Sequence, residues 1–194
     1  MRWTATHTSF TLGHMKTNLT PHPLSMAELG QLDRDDFVAR LGGIVEHSPW
    51  VVERVCSGAP YASFSALYDA LVRCIHDAPR AEQISLLRLH PELAGKEAVA
   101  GTMTPESSAE QGRLGLMALS ARDISRLTEL NHTYQARFGF PFIVALRLHE
   151  SLESVFAAGD ARLTHEPNTE IPIALQQVCA VMRGRLARVV LDPA

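Results

Sequence analysis

The sequence predicts an all-α fold, a single compact multi-helix domain, and three observations carry that expectation. Apolar residues recur at spacings of three and four through most of the chain from residue 25 onward. Serine or aspartate stands at the start of several of these stretches, where helix caps belong. Only FGFPFIVAL, at 138–146, has the character of an extended segment, and one short strand cannot make a sheet.

Taken in chain order, Ser25 and Glu28 fit a capping box that opens a short helix. Asp33 opens the next stretch, in which Phe37, Leu41, Ile44 and Val45 share one face as far as Pro49, which predicts one helix followed by a short one over 50–56. Ser63 caps a helix whose stripe is Leu67, Leu71, Cys74 and Ile75, and the run DAPR breaks it. Pro79 sits where a first-turn proline belongs, and Ile84, Leu86 and Leu87 continue the apolar face up to His90. A further helix is expected from Thr104 and Pro105 to about Leu119, and another from Ser120 through Tyr134, ended by Gly139. The most regular pattern is the last, with Ile171, Leu175, Val178, Met182, Leu186 and Val189 on one face. Residues 1–23 show no periodicity and are rich in Thr, His and Pro. They read as a flexible tail ahead of a helical domain over 24–194.

Composition limits what any motif can mean. A chain of 194 residues is long enough to bury a core without disulfides or a structural metal. With 18 basic and 21 acidic residues the net charge is -3, so there is no electrostatic case for nucleic acid or an anionic membrane surface, and a small-molecule ligand is expected. Cys56, Cys74 and Cys179 are far apart among apolar neighbours, which suits a reducing cytosol better than a disulfide scaffold. No apolar run approaches the roughly 20 residues needed to span a bilayer, the first residues lack the apolar core of a signal peptide, and the chain ends VVLDPA without a peroxisomal address. A cytoplasmic location is the expectation.

Several residues carry chemistry. Proline disfavours the α region in the residue before it, so Pro91 should end the helix at His90, where the helix dipole favours a protonated imidazole by about 0.3–1 kcal/mol. His90 is then either a proton donor in a pocket or a cap on its own helix. The turn TPESSAEQG at 104–112 places Ser107, Glu110 and Gln111 within about one turn, as a plain helix start or as a polar ligand site. In RFGFPFIVAL, Gly139 permits tight backbone geometry and Pro141 fixes φ, so the following amides form either a rigid set of donors or a buried connector. Arg183, Arg185 and Arg188 read as a solvated helix face, unless one turns inward to clamp a carboxylate. Glu129-x-x-His132, with His149 and Glu150 beyond, has the spacing of a di-iron helix, but no second copy exists and no metal is expected. The chain has no Gly-x-Ser-x-Gly elbow, P-loop or dinucleotide fingerprint.

HPELAGK at 90–96, SSAEQ at 107–111, LNHTYQARFGFPFIVAL at 130–146 and the arginine-containing terminal helix resemble, in that order, the 2-oxo-4-hydroxy-4-carboxy-5-ureidoimidazoline (OHCU) decarboxylase family. FVARLGGIVEHSPWV resembles its first helices, so the likeness covers about residues 25–191. The resemblance implies an all-α, commonly homodimeric enzyme without metal or organic cofactor, which performs the last step from urate to (S)-allantoin. It also implies roles: His90 catalytic, Pro91 in contact with substrate, Glu110 a second active-site group, and Ser107 and Gln111 beside it in a substrate-binding turn. Phe142, Ile143, Val144, Ala145 and Leu146 then bind substrate largely through backbone. The catalytic arginine of relatives lies in a Leu-Arg-Leu run, here RGRL, which points to Arg185 with Arg183 as the alternative. On this reading Glu110 orients His90 and raises its proton affinity, and Arg185 helps hold the ring. The alternative is a helical binding protein that keeps the fold without the chemistry.

Overall fold

The computed structural model describes residues 22–95, 101–113, 116 and 119–192. The expected N-terminal tail lies outside them except for residues 22 and 23, and there the His22 carbonyl accepts a hydrogen bond from Arg40. The helices are α1 (Met26–Leu29), α2 (Arg34–Leu41), α3 (Trp50–Cys56), α4 (Phe64–His76), α5 (Arg80–Arg88), α6 (Pro105–Arg113), α7 (Ala121–Phe138), α8 (Leu152–Arg162) and α9 (Pro167–Val189). Short 3-10 turns lie at Gly42–Ile44 and Leu146–Leu148. Among the described residues there is no strand, only an isolated parallel bridge that ties Leu24 to Val190.

The capping residues act as their chemistry dictates. Ser25 and Glu28 form the reciprocal capping box, and the side chains of Ser63 and Ser120 accept from the backbone amides of Ala66 and Asp123. Gly139 ends α7 at φ 77°, a left-handed geometry that glycine adopts without a Cβ clash.

Four segments differ from the sequence expectation. The helix from Asp33 stops at Leu41 rather than running to Pro49, because Gly42 and Gly43 favour a tight 3-10 turn over continued helix. The chain is then extended at Val45 and left-handed at His47, with φ 45°, and this path sends Glu46 inward. Helix α6 ends at Arg113, short of Leu119. Helix α8 was not anticipated: a glycine and an arginine, Gly159 and Arg162, share its buried side with Val155 and Phe156. Helix α9 starts at Pro167, four residues earlier than the apolar pattern, because a first-turn proline needs no amide donor.

Helix α9 runs through the middle of the domain, packed against α2, α4, α5, α7 and both 3-10 turns. Its Leu175, Val178, Met182 and Leu186 join Phe37, Leu67, Leu71 and Phe142 in the core. Each such side chain contributes about 1.5–3 kcal/mol on burial. That packing holds α9 in place, and hydrogen bonds from Arg185 to Ser107 and Glu110 tie its last turns to α6, which is where the polar residues converge.

Candidate active site

One cavity brings together the end of α5, the first turns of α6, the segment from Phe142 to Arg147 and the last turns of α9. Its walls contain His90, Pro91, Ser107, Glu110, Gln111, Phe142, Ile143, Val144, Ala145, Leu146 and Arg185, so the site residues implied by the family resemblance, with Arg185 as the arginine, line one cavity. Arg183 is not among them: it faces the other way, pairing with Asp192 at 3.0 Å and lying over the Phe64 and Tyr68 rings. Two residues apart on a helix means about 200° of rotation, so only one of the two arginines faces the cavity.

His90 follows the end of α5, and its Nδ1 lies 3.0 Å from the carbonyl oxygen of Leu86. A carbonyl only accepts, so Nδ1 carries the proton and Nε2 keeps its lone pair for the cavity. The capping role and the pocket role therefore coexist in one ring. At 8% exposure, burial pushes the His90 pKa down from 6.5 to about 4, against the opposing pull of the Leu86 carbonyl and of Glu46. This corrects the expectation of a protonated donor, since desolvation outweighs the helix dipole. The orienting group is also the Leu86 carbonyl rather than Glu110, whose two oxygens are both engaged by Arg185.

Arg185 is 3% exposed and sits in a cage of acceptors. Its Nε and Nη2 fork onto Glu110 at 3.0 and 2.9 Å, Nη1 donates to Glu46 at 2.6 Å, and Nη2 also donates to Ser107 Oγ at 3.1 Å. A longer bond of 3.5 Å reaches the Gly43 carbonyl. Glu46, 2% exposed, also accepts from Thr104 and Ser107, each at 2.9 Å. Burial alone would raise its pKa, but the hydrogen bonds and charge of Arg185, with the two hydroxyls, hold it below the usual carboxylate range. Desolvation likewise works against the Arg185 cation and is outweighed by Glu110 and Glu46. Glu46 was not legible as a site residue, because nothing in IVEHSPW marks a carboxylate that will be buried beside an arginine 139 positions later.

Other side chains hold the walls. Gln111 accepts from the Ala94 amide at 2.8 Å and donates to the Glu92 carbonyl at 3.3 Å, pinning the loop after Pro91, where Ala94 is left-handed at φ 47°. The extended segment is anchored by Arg162, whose Nη1 donates to the Ile143 carbonyl at 2.7 Å, and by Gln177, which accepts from the Ala145 amide at 3.0 Å. Arg162 itself is held by buried Glu170, at 2.8 and 2.5 Å, and Tyr134 donates to the same carboxylate. The amides of Ile143 and Val144 donate to no other group among the described residues, which leaves them as hydrogen-bond donors beside the cavity.

Among the described residues, no group of three or more His, Cys, Asp or Glu side chains is arranged to hold a metal ion. Glu129 and His132 lie outside the cavity walls, and His149 Nδ1 is within 3.0 Å of Ser154 Oγ.

Known proteins resemble this chain in both sequence and fold. A protein of Haloferax volcanii named 2-oxo-4-hydroxy-4-carboxy-5-ureidoimidazoline decarboxylase is 40% identical over 166 residues, covering 86% of this chain and 96% of that protein. One of the same name from Amia calva is 34% identical over 171 residues, covering 88% and 97%. A solved structure of (S)-allantoin synthase superposes with a TM-score of 0.68 at 26% identity, covering 86% of this chain and 54% of that longer one. The family model for OHCU decarboxylase matches residues 30–187, and on these matches and the shared helical fold the chain belongs to the OHCU decarboxylase family.

Proposed function

We propose that this protein decarboxylates OHCU to (S)-allantoin, the last step of urate oxidation, using no metal or organic cofactor. One observation carries the reading: a neutral His90 with Nε2 free, the Glu110–Arg185 fork and the donor amides of Ile143 and Val144 border a single cavity. OHCU bears a hydroxyl and a carboxylate on one ring carbon, beside a carbon doubly bonded to nitrogen. The bond to the carboxylate breaks, carbon dioxide leaves, and the electron pair moves between the two ring carbons. The C=N pair moves onto nitrogen, which takes a proton from solvent, the one proton consumed overall. The hydroxyl then loses its proton as C=O forms, and the ureido-bearing carbon gains one on a single face.

His90 Nε2, a lone pair on a buried ring, accepts the hydroxyl proton and supplies the carbon. Glu110, fixed by two bonds from Arg185, presents its remaining lone pairs to ring and ureido N–H groups, and the amides at 143 and 144 donate to the carbonyls. Pro91, Ser107 and Gln111 shape that wall. The family resemblance supports a homodimer, checked by light scattering. No helix of the described residues is long and apolar enough to cross a membrane. The cysteine usage supports a cytoplasmic location, checked by cell fractionation.

The test is a coupled assay in which uricase and hydroxyisourate hydrolase generate OHCU in place and circular dichroism follows the product. An enantiomeric excess of (S)-allantoin, formed faster than the spontaneous reaction and unchanged after dialysis against EDTA, is the expected result. Racemic allantoin at the spontaneous rate would instead identify a binding protein on the same fold. Loss of turnover on dialysis, restored by one metal, would return Glu129, His132 and His149 to consideration.

A further inference from the structure

The Arg185 side chain is the obvious partner for a substrate carboxylate, yet its geometry forbids that task. A guanidinium has five N–H donors. Those of Arg185 are directed at Glu110, Glu46, Ser107 and the Gly43 carbonyl. Freeing two of them for a ligand would strand a buried carboxylate.

Two other arginines line the same cavity, Arg147 and Arg188, and both are exposed. Arg188 stands three residues beyond Arg185 on α9, so it projects near the same side one turn further along. Arg147 follows the extended segment, and its Nε donates to the Ala180 carbonyl at 3.0 Å, which lays the side chain across α9 at Gly184. A Cβ on residue 184 would stand 3.2 Å from Arg147 Cδ, so glycine in this helix interior leaves the room that Arg147 uses. Neither Arg188 nor the terminal nitrogens of Arg147 form an ion pair among the described residues. Taken with the two carboxylates that hold Arg185, Glu46 and Glu110, the three arginines at 147, 185 and 188 leave one positive charge in excess at the cavity. That excess matches a substrate with a single carboxylate.

Resting on the decarboxylase reading above, we infer that Arg147 and Arg188 form a cationic rim that recruits the carboxylate of the substrate, while Arg185 holds Glu46 and Glu110 in place. The chemistry favours this division. A carboxylate departing as carbon dioxide loses its charge on the way to the transition state, so a tight buried clamp would stabilise the bound substrate more than the transition state and slow the reaction. A solvated rim attracts the anion and lets the charge disappear at small cost.

The test is steady-state kinetics of Arg147→Gln, Arg188→Gln and the double variant, with (S)-allantoin as inhibitor. (S)-Allantoin lacks the carboxylate and so reports cavity shape without the charge. Each single variant should raise KM roughly two- to fivefold, the range for exposed charge pairs, and the double variant about tenfold, with kcat within about twofold. Inhibition by (S)-allantoin should be unchanged, and the fall of wild-type kcat/KM with ionic strength should flatten in the double variant. A double variant with wild-type KM refutes the rim while leaving the decarboxylase reading intact. Equal weakening of substrate and (S)-allantoin would show that the arginines only shape the wall, and refutes it too. A wild-type protein that does not accelerate OHCU decarboxylation overturns the functional reading, and the rim with it.

Discussion

His90→Asn is expected to lose at least about a hundredfold in kcat, the lower end for a missing general acid or base, with its melting temperature close to wild type. The structure gives the reason for both halves. Asparagine can place an amide N–H where Nδ1 stands and still donate to the Leu86 carbonyl, so the end of α5 stays satisfied. It has no titratable lone pair where Nε2 faces the cavity, so the proton transfer is lost. Circular dichroism melting and the coupled assay measured on the same preparation separate the two effects. A variant that melts early yet turns over at the wild-type rate would make His90 a structural cap alone.

Arg185→Gln is expected to damage stability as well as activity. Removing the cation leaves Glu46 buried at 2% exposure without its strongest partner, and breaking a buried ion pair costs about 3–5 kcal/mol. Glu110 loses the fork that aims it at the substrate. Chemical denaturation should show the drop, and turnover should fall with it even in the fraction that remains folded. Adding Glu46→Gln to Arg185→Gln should recover part of the stability, because the stranded charge is gone, so the two losses should not sum. Arg183→Gln, at a half-buried position outside the cavity that pairs with Asp192 and lies over the Phe64 and Tyr68 rings, should keep wild-type turnover and lose at most about 1 kcal/mol of stability. Full activity in Arg185→Gln would remove the Arg185–Glu110 fork from the proposed mechanism.

The architecture was readable where local chemistry decides it. Ser25, Ser63 and Ser120 cap helices because each side-chain oxygen accepts from a first-turn amide, and Gly139 ends α7 because few other residues sit comfortably at φ 77°. His90, Glu110 and the segment after Pro141 were recognisable because a family pattern names them and turn chemistry places them. What stayed hidden depends on long-range burial of charge. Glu46 becomes a site residue only because Gly42 and Gly43 break α2 and the left-handed His47 turns the chain, bringing it to Thr104, Ser107 and Arg185. The Arg162–Glu170–Tyr134 cluster is equally invisible to periodicity, since an arginine and a glutamate occupy buried helix positions that patterning reserves for apolar residues. The proton state of His90 is hidden for the same reason: position on a helix is readable, desolvation is not.

The working His90 is a buried, neutral base on this mechanism, and its acid titration decides whether that is so. Its folded pKa, about 4, lies below the unfolded value of 6.5, so the unfolded chain takes up the proton first as pH falls. The stability linked to this group is complete above pH 6.5 and lost as pH falls toward 4, on the order of 3 kcal/mol over that window. Glu46, His47 and Arg185 are the charges acting on the ring, and they leave it depressed. The deciding measurement is kcat/KM from pH 4 to pH 8, with stability followed over the same range. The account predicts a flat profile from pH 8 down to about pH 5.5 and loss of rate only as pH approaches 4. A midpoint near 6.5, or a rate that rises as the solution is acidified, would mean that the imidazolium form works, and would contradict it.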